Sequence, residues 1–306
     1  MEQDTRQQRV LVAPGVRGRR AALPWYADVG VRLVKTKPLG VVGLGILLVI
    51  VVAAVFADLI APYGYNEPHI PDHRFAGYSW QHWLGADQLG RDMLTRVMYG
   101  ARISLFVGLV AIALSSVVGT AIGLVSAYAG GRVDMVVQRF VDAYQAFPGL
   151  LLLLTIMSLL GPGLLNLTVV LGLTTGIVSS RVIRGTALSV KENTYIEAAR
   201  ALGAGAPRIV LGHMLPNVAP TIIVLATIGL GNIILIEASL SFLGFGVPPP
   251  HPTWGGMLSI QGLQYMQQAP HMAIWPGVAL SLAVFGFNMF GDALRDVLDP
   301  RLRGSR

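Results

Sequence analysis

Five stretches of this chain contain no Asp, Glu, Lys, Arg or His, and they decide what it can fold into. They are residues 39–57, 103–131, 143–180, 218–236 and 272–291. A helix that crosses a bilayer needs about 20 consecutive apolar residues. Four of the runs are of that order. The third is 38 residues long and carries Gly161-Pro162-Gly163 near its middle, so it reads as two helices joined by a tight outer turn. Six spans result, and the expected fold class is an all-α membrane protein with six transmembrane helices. Only 13% of the chain is charged, about half the soluble average of roughly 25%.

The cations set the orientation. With the N-terminus inside, 19 of the 23 Lys and Arg residues fall on inner segments, and only Arg74, Arg91, Arg96 and Arg102 lie outside. That asymmetry fits the positive-inside rule in this orientation and contradicts the reverse. Both termini are then cytoplasmic. The same distribution explains the net charge of +7 without nucleic acid. The first apolar run follows a 38-residue tail and has no small-residue cleavage site, so it reads as a retained anchor. There is no cysteine, hence no disulfide and no thiolate metal site.

The domain reading follows: a basic tail and interfacial segment over 1–38, a six-helix domain over 39–293, and a C-terminal tail over 294–306. Residues 1–23 have the composition of a disordered tail, and Trp25, Tyr26, Arg32, Lys35 and Lys37 suit a headgroup-level segment. The outer loop 62–102 divides into an irregular first half and a second half expected to form an amphipathic surface helix. In that helix Asp87 caps, and Asp92 pairs with Arg96 four residues on. A second outer loop covers 244–271. Gly119 and Gly123 permit close helix contact, and Pro148 beside Gly149 should kink the third span. Arg139 and Asp142, three apart, form a structural pair.

The inner loop 190–217 is unusually organised. Thr194 and Glu197 have the spacing of a capping box, in which the Thr hydroxyl caps the N3 amide and the Glu carboxylate returns to the Thr amide. Ala198, Ala199, Ala201 and Leu202 propagate a helix. Gly203 stands where a left-handed residue would end it, and Pro207 opens a second short helix as a plausible N1 residue. Small side chains at 198 and 199 leave a shallow face that a partner groove can approach.

The order Glu197-Ala198-Ala199, then Gly203, then Leu215-Pro216, between the fourth and fifth spans, resembles the EAA signature of the membrane subunits of bacterial ABC importers. That family usually has Ile two positions before Leu-Pro, whereas this chain has His213. His213-Met214-Leu215-Pro216-Asn217 is similar to the H-x-L-P-N of the peptide-transporting branch. Residues 84–109, 237–255 and 291–304 also resemble the C-type subunit of dipeptide and oligopeptide permeases. The resemblance covers about 35–304. It implies a type I ABC importer permease fold in the cytoplasmic (inner) membrane. It also implies a second, B-type permease subunit as heterodimer partner, two ATPase domains and an extracytoplasmic peptide-binding protein. ATP-driven alternating access would be coupled through Glu197, Ala198, Ala199, Gly203, Leu215 and Pro216, with Thr194 as the helix cap. ATP and Mg would sit on the ATPase partners, and this chain would bind no cofactor and perform no catalysis. Permeases for nickel chelates, glutathione or haem share the pattern.

Glu237 lies near the outer end of the fifth span. An ionisable group in a span is costly and turns inward. Two readings stand: a pathway or gate residue that meets a peptide's ammonium, or a helix-end carboxylate bonded to a neighbouring span. His69, His73 and His82 invite a metal, but Pro71 interrupts any helix that would align the first two and no acidic cluster completes a set. A solvated loop is expected there. The chain has no G-x-x-x-x-G-K-[ST], no H-E-x-x-H and no G-x-S-x-G, which argues against ATP binding by a P-loop and against an intramembrane enzyme. Few charges in the spans and a single docking loop argue against a self-contained secondary carrier, and no TVGYG-like filter supports a channel.

Overall fold

The computed structural model describes residues 30, 33–68 and 73–298. The basic tail 1–23, the interfacial Trp25, Tyr26 and Arg32, the last residues 299–306 and His69 lie outside the described residues. The architecture is helical, with no strand among the described residues beyond an isolated bridge between Ala86 and Asp92.

In chain order the helices are α1 (Pro38–Val55), α2 (Ala57–Ile60), α3 (Met93–Ala129), α4 (Gly131–Gln145), α5 (Gly149–Leu160), α6 (Leu164–Lys191) and α7 (Thr194–Ala201). Next come α8 (Ala206–Phe242), α9 (Trp254–Leu258), α10 (Ile260–Gln264) and α11 (His271–Leu298). Five of these (α1, α3, α6, α8 and α11) are long and apolar enough to cross a membrane. The expected third span is different. At 12 residues, α5 reaches only about 18 Å, short of the ~30 Å hydrocarbon core. It follows α4 through an 88° bend at the Pro148 break, so a sixth span exists only as the bent pair α4–α5. Pro148 therefore does more than kink a helix. The tight turn before α6 forms as expected, with Gly161 at φ +81°.

Small residues set the closest seam. A Cβ on Gly119 would meet Ser179 and the Gly176 carbonyl, and one on Gly176 would meet Val118 and the Ser115 carbonyl. The expected Gly119–Gly123 contact is thus made, by α3 against α6. A second seam joins α1 to α11, where Gly40 faces Ala293 and Gly43 faces the Gly286 carbonyl, and Lys37 pairs with Asp296. The central core draws on α3, α6, α8 and α11 through Leu105, Ile112, Leu171, Ile233, Ile234 and Phe287.

The segment before α3 corrects two expectations. Residues 84–92 form turns, not a separate surface helix, and α3 begins only at Met93. Asp92 is its cap, accepting from the Thr95 amide at 2.8 Å. Asp92 therefore does not pair with Arg96. Its other oxygen meets His82 Nδ1 at 3.0 Å, and His82 Nε2 lies 2.7 Å from His73 Nδ1. His82 is 1% exposed, so the solvated-loop reading fails there. The His82 ring is buried because Asp92 and His73 occupy both of its nitrogens. Among the described residues no group of three His, Cys, Asp or Glu could hold a metal. Nearby, the Tyr99 hydroxyl and the Arg102 guanidinium hold the Asp58 carboxyl below its ordinary range and tie α2 to α3.

Candidate functional site

The loop 190–217 is built on a short, firmly mounted helix. Where α6 ends, Lys191 donates to the carbonyls of Ala127 and Tyr128, both at 2.8 Å. These are orphan acceptors at the C-terminus of α3, where a cation is also favoured by the helix dipole. The Asn193 side chain turns back to the Ser189 and Val190 carbonyls, at 3.1 and 3.0 Å. Asn193 thus stands at the cap position of α7 and Thr194 is the first helical residue. No side-chain cap hydrogen bond closes there, so the expected Thr194–Glu197 capping box does not form. The physical reason is local: with Thr194 already helical, Glu197 falls one residue too far along, and its side chain is exposed.

Ile196 anchors α7. It is fully buried against a cluster of Leu124, Ile183, Ile209, Met214 and Val218, drawn from α3, α6 and α8. Arg200 adds a contact over the Tyr128 ring at 5.7 Å. The C-terminus closes as the sequence suggests. Gly203 has φ +82°, the Ala204 amide donates to the Ala199 carbonyl at 3.0 Å, and the Gly203 amide donates to the Arg200 carbonyl at 2.9 Å. This is a Schellman motif.

Beyond Gly203 the structure departs from expectation. Pro207 is the second residue of its helix, after Gly205 and Ala206. That helix is not a separate element. It passes through a π turn at Val210–Met214 into Leu215 and Pro216 and on to Phe242 as one 37-residue helix. Leu215 and Pro216 therefore sit inside α8, directly after the buried Met214.

The outward side of the mount carries the candidate contact surface. Glu197 and Ala198 are exposed and Ala199 is half-buried. Leu202 is 89% exposed and Leu211 62%. Leu202, four residues after Ala198 and three after Ala199, stands in the open on their side of the helix and forms with them an unsatisfied contact face. Sequence reasoning found Ala198 and Ala199 but passed over Leu202 and Leu211, because a Leu in an amphipathic pattern reads as core until its helix is docked.

Glu237 turns inward as expected and is fully buried in α8. Its Oε1 accepts from Ser241 at 2.7 Å and its Oε2 from Ser104 of α3 at 3.2 Å. The geometry is that of a carboxylate bridging two spans. Elsewhere Arg139 and Asp142 do pair, at 3.8 Å, but Asp142 also holds Arg181 of α6. Asp134 receives both Nε and Nη2 of Arg184, at 2.6 and 2.5 Å. These links fasten the amphipathic α4 to α6. A groove between α4–α5, α6 and α8 is lined by Tyr144, Gln145, Thr174, Thr175 and Asn232 beside Leu153 and Leu235. The buried Gln145 Nε2 there has no hydrogen-bond partner among the described residues.

Bundle and mounted loop together define a polytopic helical membrane protein with a short helix held open at one end of its spans. Residues 119–304 match the family described as binding-protein-dependent transport system inner membrane component, and residues 25–77 match the N-terminal TM domain of oligopeptide transport permease C. The chain belongs to the binding-protein-dependent permease family, in its oligopeptide permease C branch. It is 41% identical to a dipeptide transport system permease protein of Alkalihalophilus pseudofirmus, over 92% of each chain. It is 38% identical to a glutathione transport system permease protein of Escherichia coli O157:H7, over 98% of each. Its fold is similar to a chain of the inward-facing MetNI methionine ABC transporter, with a TM-score of 0.56 at 21% identity, over 68% of this chain and 98% of that one.

Proposed function

We propose that this chain is one of two pore-forming subunits of an ATP-driven importer of short peptides, moved by separate ATPase subunits that grip α7. The observation that carries the reading is the mount of α7. Ile196 and the Gly203 turn hold it rigidly to α3, α6 and α8, while Glu197, Ala198 and Leu202 remain open to a partner. Displacement of α7 passes into the base of the spans because its anchor is shared by three of them. ATP closure of the ATPase dimer would open the pore outward to accept peptide, and hydrolysis would reset it.

In this reading both termini and α7 lie on the cytoplasmic side, and the α5–α6 turn and the segment 243–264 lie outside, in keeping with the cation distribution. The C-type relatives support a B-type permease as heterodimer partner, two ATPase domains, and a binding protein that delivers substrate from outside. ATP and Mg are assigned to the ATPase partners, and this chain does no chemistry of its own. Glu237 serves as a bridge between α3 and α8 rather than as a direct contact for the peptide's ammonium.

The glutathione relatives favour a second substrate reading, since glutathione is itself a tripeptide. The test is reconstitution of the chain with its partner subunits in proteoliposomes, with uptake of labelled dipeptide and labelled glutathione measured against ATP and binding protein. Uptake of neither, by a complex that hydrolyses ATP in response to its binding protein, would overturn the peptide reading.

A further inference from the structure

A cavity of about 550 Å³ opens between the start of α3, the α5–α6 turn and the segment after α8. Its walls include Pro162, Ser241, Pro249, His251 and Thr253, with Ser259 and Gln264 at the rim. Two arginines line it, and both are more than nine-tenths buried: Arg91 at 6% exposure and Arg96 at 8%. They share one carboxylate. Asp87 Oδ2 accepts from Arg91 Nε at 2.7 Å and lies 3.6 Å from Arg96 Nε. Its Oδ1 is already occupied by the Leu89 and Arg91 amides, at 2.8 and 3.0 Å.

The remaining contacts of the two guanidiniums are neutral. Arg91 Nη1 donates to Asn66 at 3.4 Å, and Arg96 Nη1 donates to the Tyr65 carbonyl at 3.1 Å. Neither Nη2 meets an acceptor among the described residues. Among the described residues the site therefore sets two buried cations against one paired anion, with donor forks left open at a cavity. A buried charge without a counterion is costly. Planar guanidinium forks match a carboxylate in two-point fashion. Asp92 is taken by His82 and the Thr95 amide, and Glu237 is sealed behind Ser241 with both oxygens engaged.

We propose that this cavity is a carboxylate-binding site on the outer side of the subunit, which receives the C-terminal carboxylate of the incoming peptide through Arg91 and Arg96. The assignment rests on the peptide-import reading for its ligand. Its size suits a small peptide, within the range of small-ligand pockets. The recessed position of the guanidiniums favours a short, mobile ligand over a flat protein surface. A carboxylate is common to every unmodified peptide, so a site built on it accepts many side chains.

The experiment measures direct binding to the purified permease–ATPase complex in nanodiscs without binding protein, by saturation-transfer NMR. The probes are alanyl-alanine and its C-terminal amide. The amide should bind on the order of tenfold more weakly or worse, the usual loss when a charge-assisted contact is removed. Arg96→Gln tests the fork directly but risks misfolding, since Arg96 also holds Tyr65 and Asp87. The rim pair Ser259→Asp and Ser259→Lys keeps the test open. Asp should abolish the preference for the free carboxylate, and Lys should keep it. Equal binding of acid and amide by the wild-type complex would overturn the proposal, as would equal loss in both rim variants. Carboxylate-dependent binding in a complex that imports no peptide would count against the import reading and for the site.

Discussion

Gly123→Ala tests the packing seam on which the bundle depends. A Cβ at this position would lie 2.9 Å from the Ser180 carbonyl oxygen, 2.9 Å from Ile183 Cγ2 and 3.0 Å from the Arg184 amide nitrogen. Two of those three atoms are backbone and cannot rotate away. The helices α3 and α6 would have to part along a stretch where Gly119, Gly172 and Gly176 are equally tight. Overpacking of this kind costs roughly 1–3 kcal/mol. Better helix propensity returns up to about 1 kcal/mol. Gly185, also in α6, has nothing within 4 Å of its would-be Cβ, so Gly185→Ala keeps only the gain. The two variants should therefore differ by roughly 1–3 kcal/mol, about 5- to 150-fold in the unfolding equilibrium. The assay is reversible unfolding of the purified chain by SDS in mixed micelles, followed by circular dichroism and tryptophan fluorescence. Equal stability of the two variants would refute the argument, because propensity alone would then describe both sites.

Three further outcomes are expected. Gly203→Val places a branched Cβ at φ +82°, where the strain is about 1–2 kcal/mol or more. Membrane abundance should hold while ATPase co-purification falls, and normal co-purification would show that the α7 turn is not part of the coupling contact. A cysteine at Ser79 should react with an impermeant maleimide in intact cells and one at Ser189 should not. Both positions are exposed in the fold, so reversed labelling would invert the proposed orientation. Glu237→Gln keeps an acceptor for one serine and should be tolerated. Glu237→Leu strands Ser104 and Ser241 and should destabilise by about 1–3 kcal/mol in the same SDS titration. Similar midpoints for the two would show that the bridge contributes nothing.

Much of this architecture can be read from the chain because lipid and tight packing impose strict local rules. Uncharged runs locate the spans, and Gly119, Gly123 and Gly203 announce positions where a Cβ does not fit or a backbone must turn left-handed. What was not legible depends on partners distant in sequence. Asp92 looks like the i,i+4 partner of Arg96, yet His82 claims it, and Arg96 shares Asp87 with Arg91 instead. The amphipathic α4 was hidden beside an apolar run, although Val133, Val137, Phe140 and Tyr144 have helical spacing and the polar residues between them meet α6. At the loop 190–217, the helix register moved by one residue. Asn193, rather than Thr194, found acceptors on the preceding helix, and the capping box lost its geometry.

The unbroken course of α8 gives the molecule a lever arm. The helix starts three residues past Gly203 and ends at Phe242, next to Ser241 in the wall of the arginine-lined cavity. At 37 residues it is about 55 Å long. A rigid rod of that length pivoting at one end swings its tip by about 1 Å for every degree of tilt. Rotations too small to unpack a glycine seam are thus enough, at the opposite face, to move Ser241 by the width of a hydrogen bond. The π turn at Val210–Met214 is one place along that rod where backbone bonding departs from the α pattern, Pro220 being another. It lies near the driven end, so a bend there acts over most of the rod's length and adds to or cancels nearly the whole stroke at Ser241.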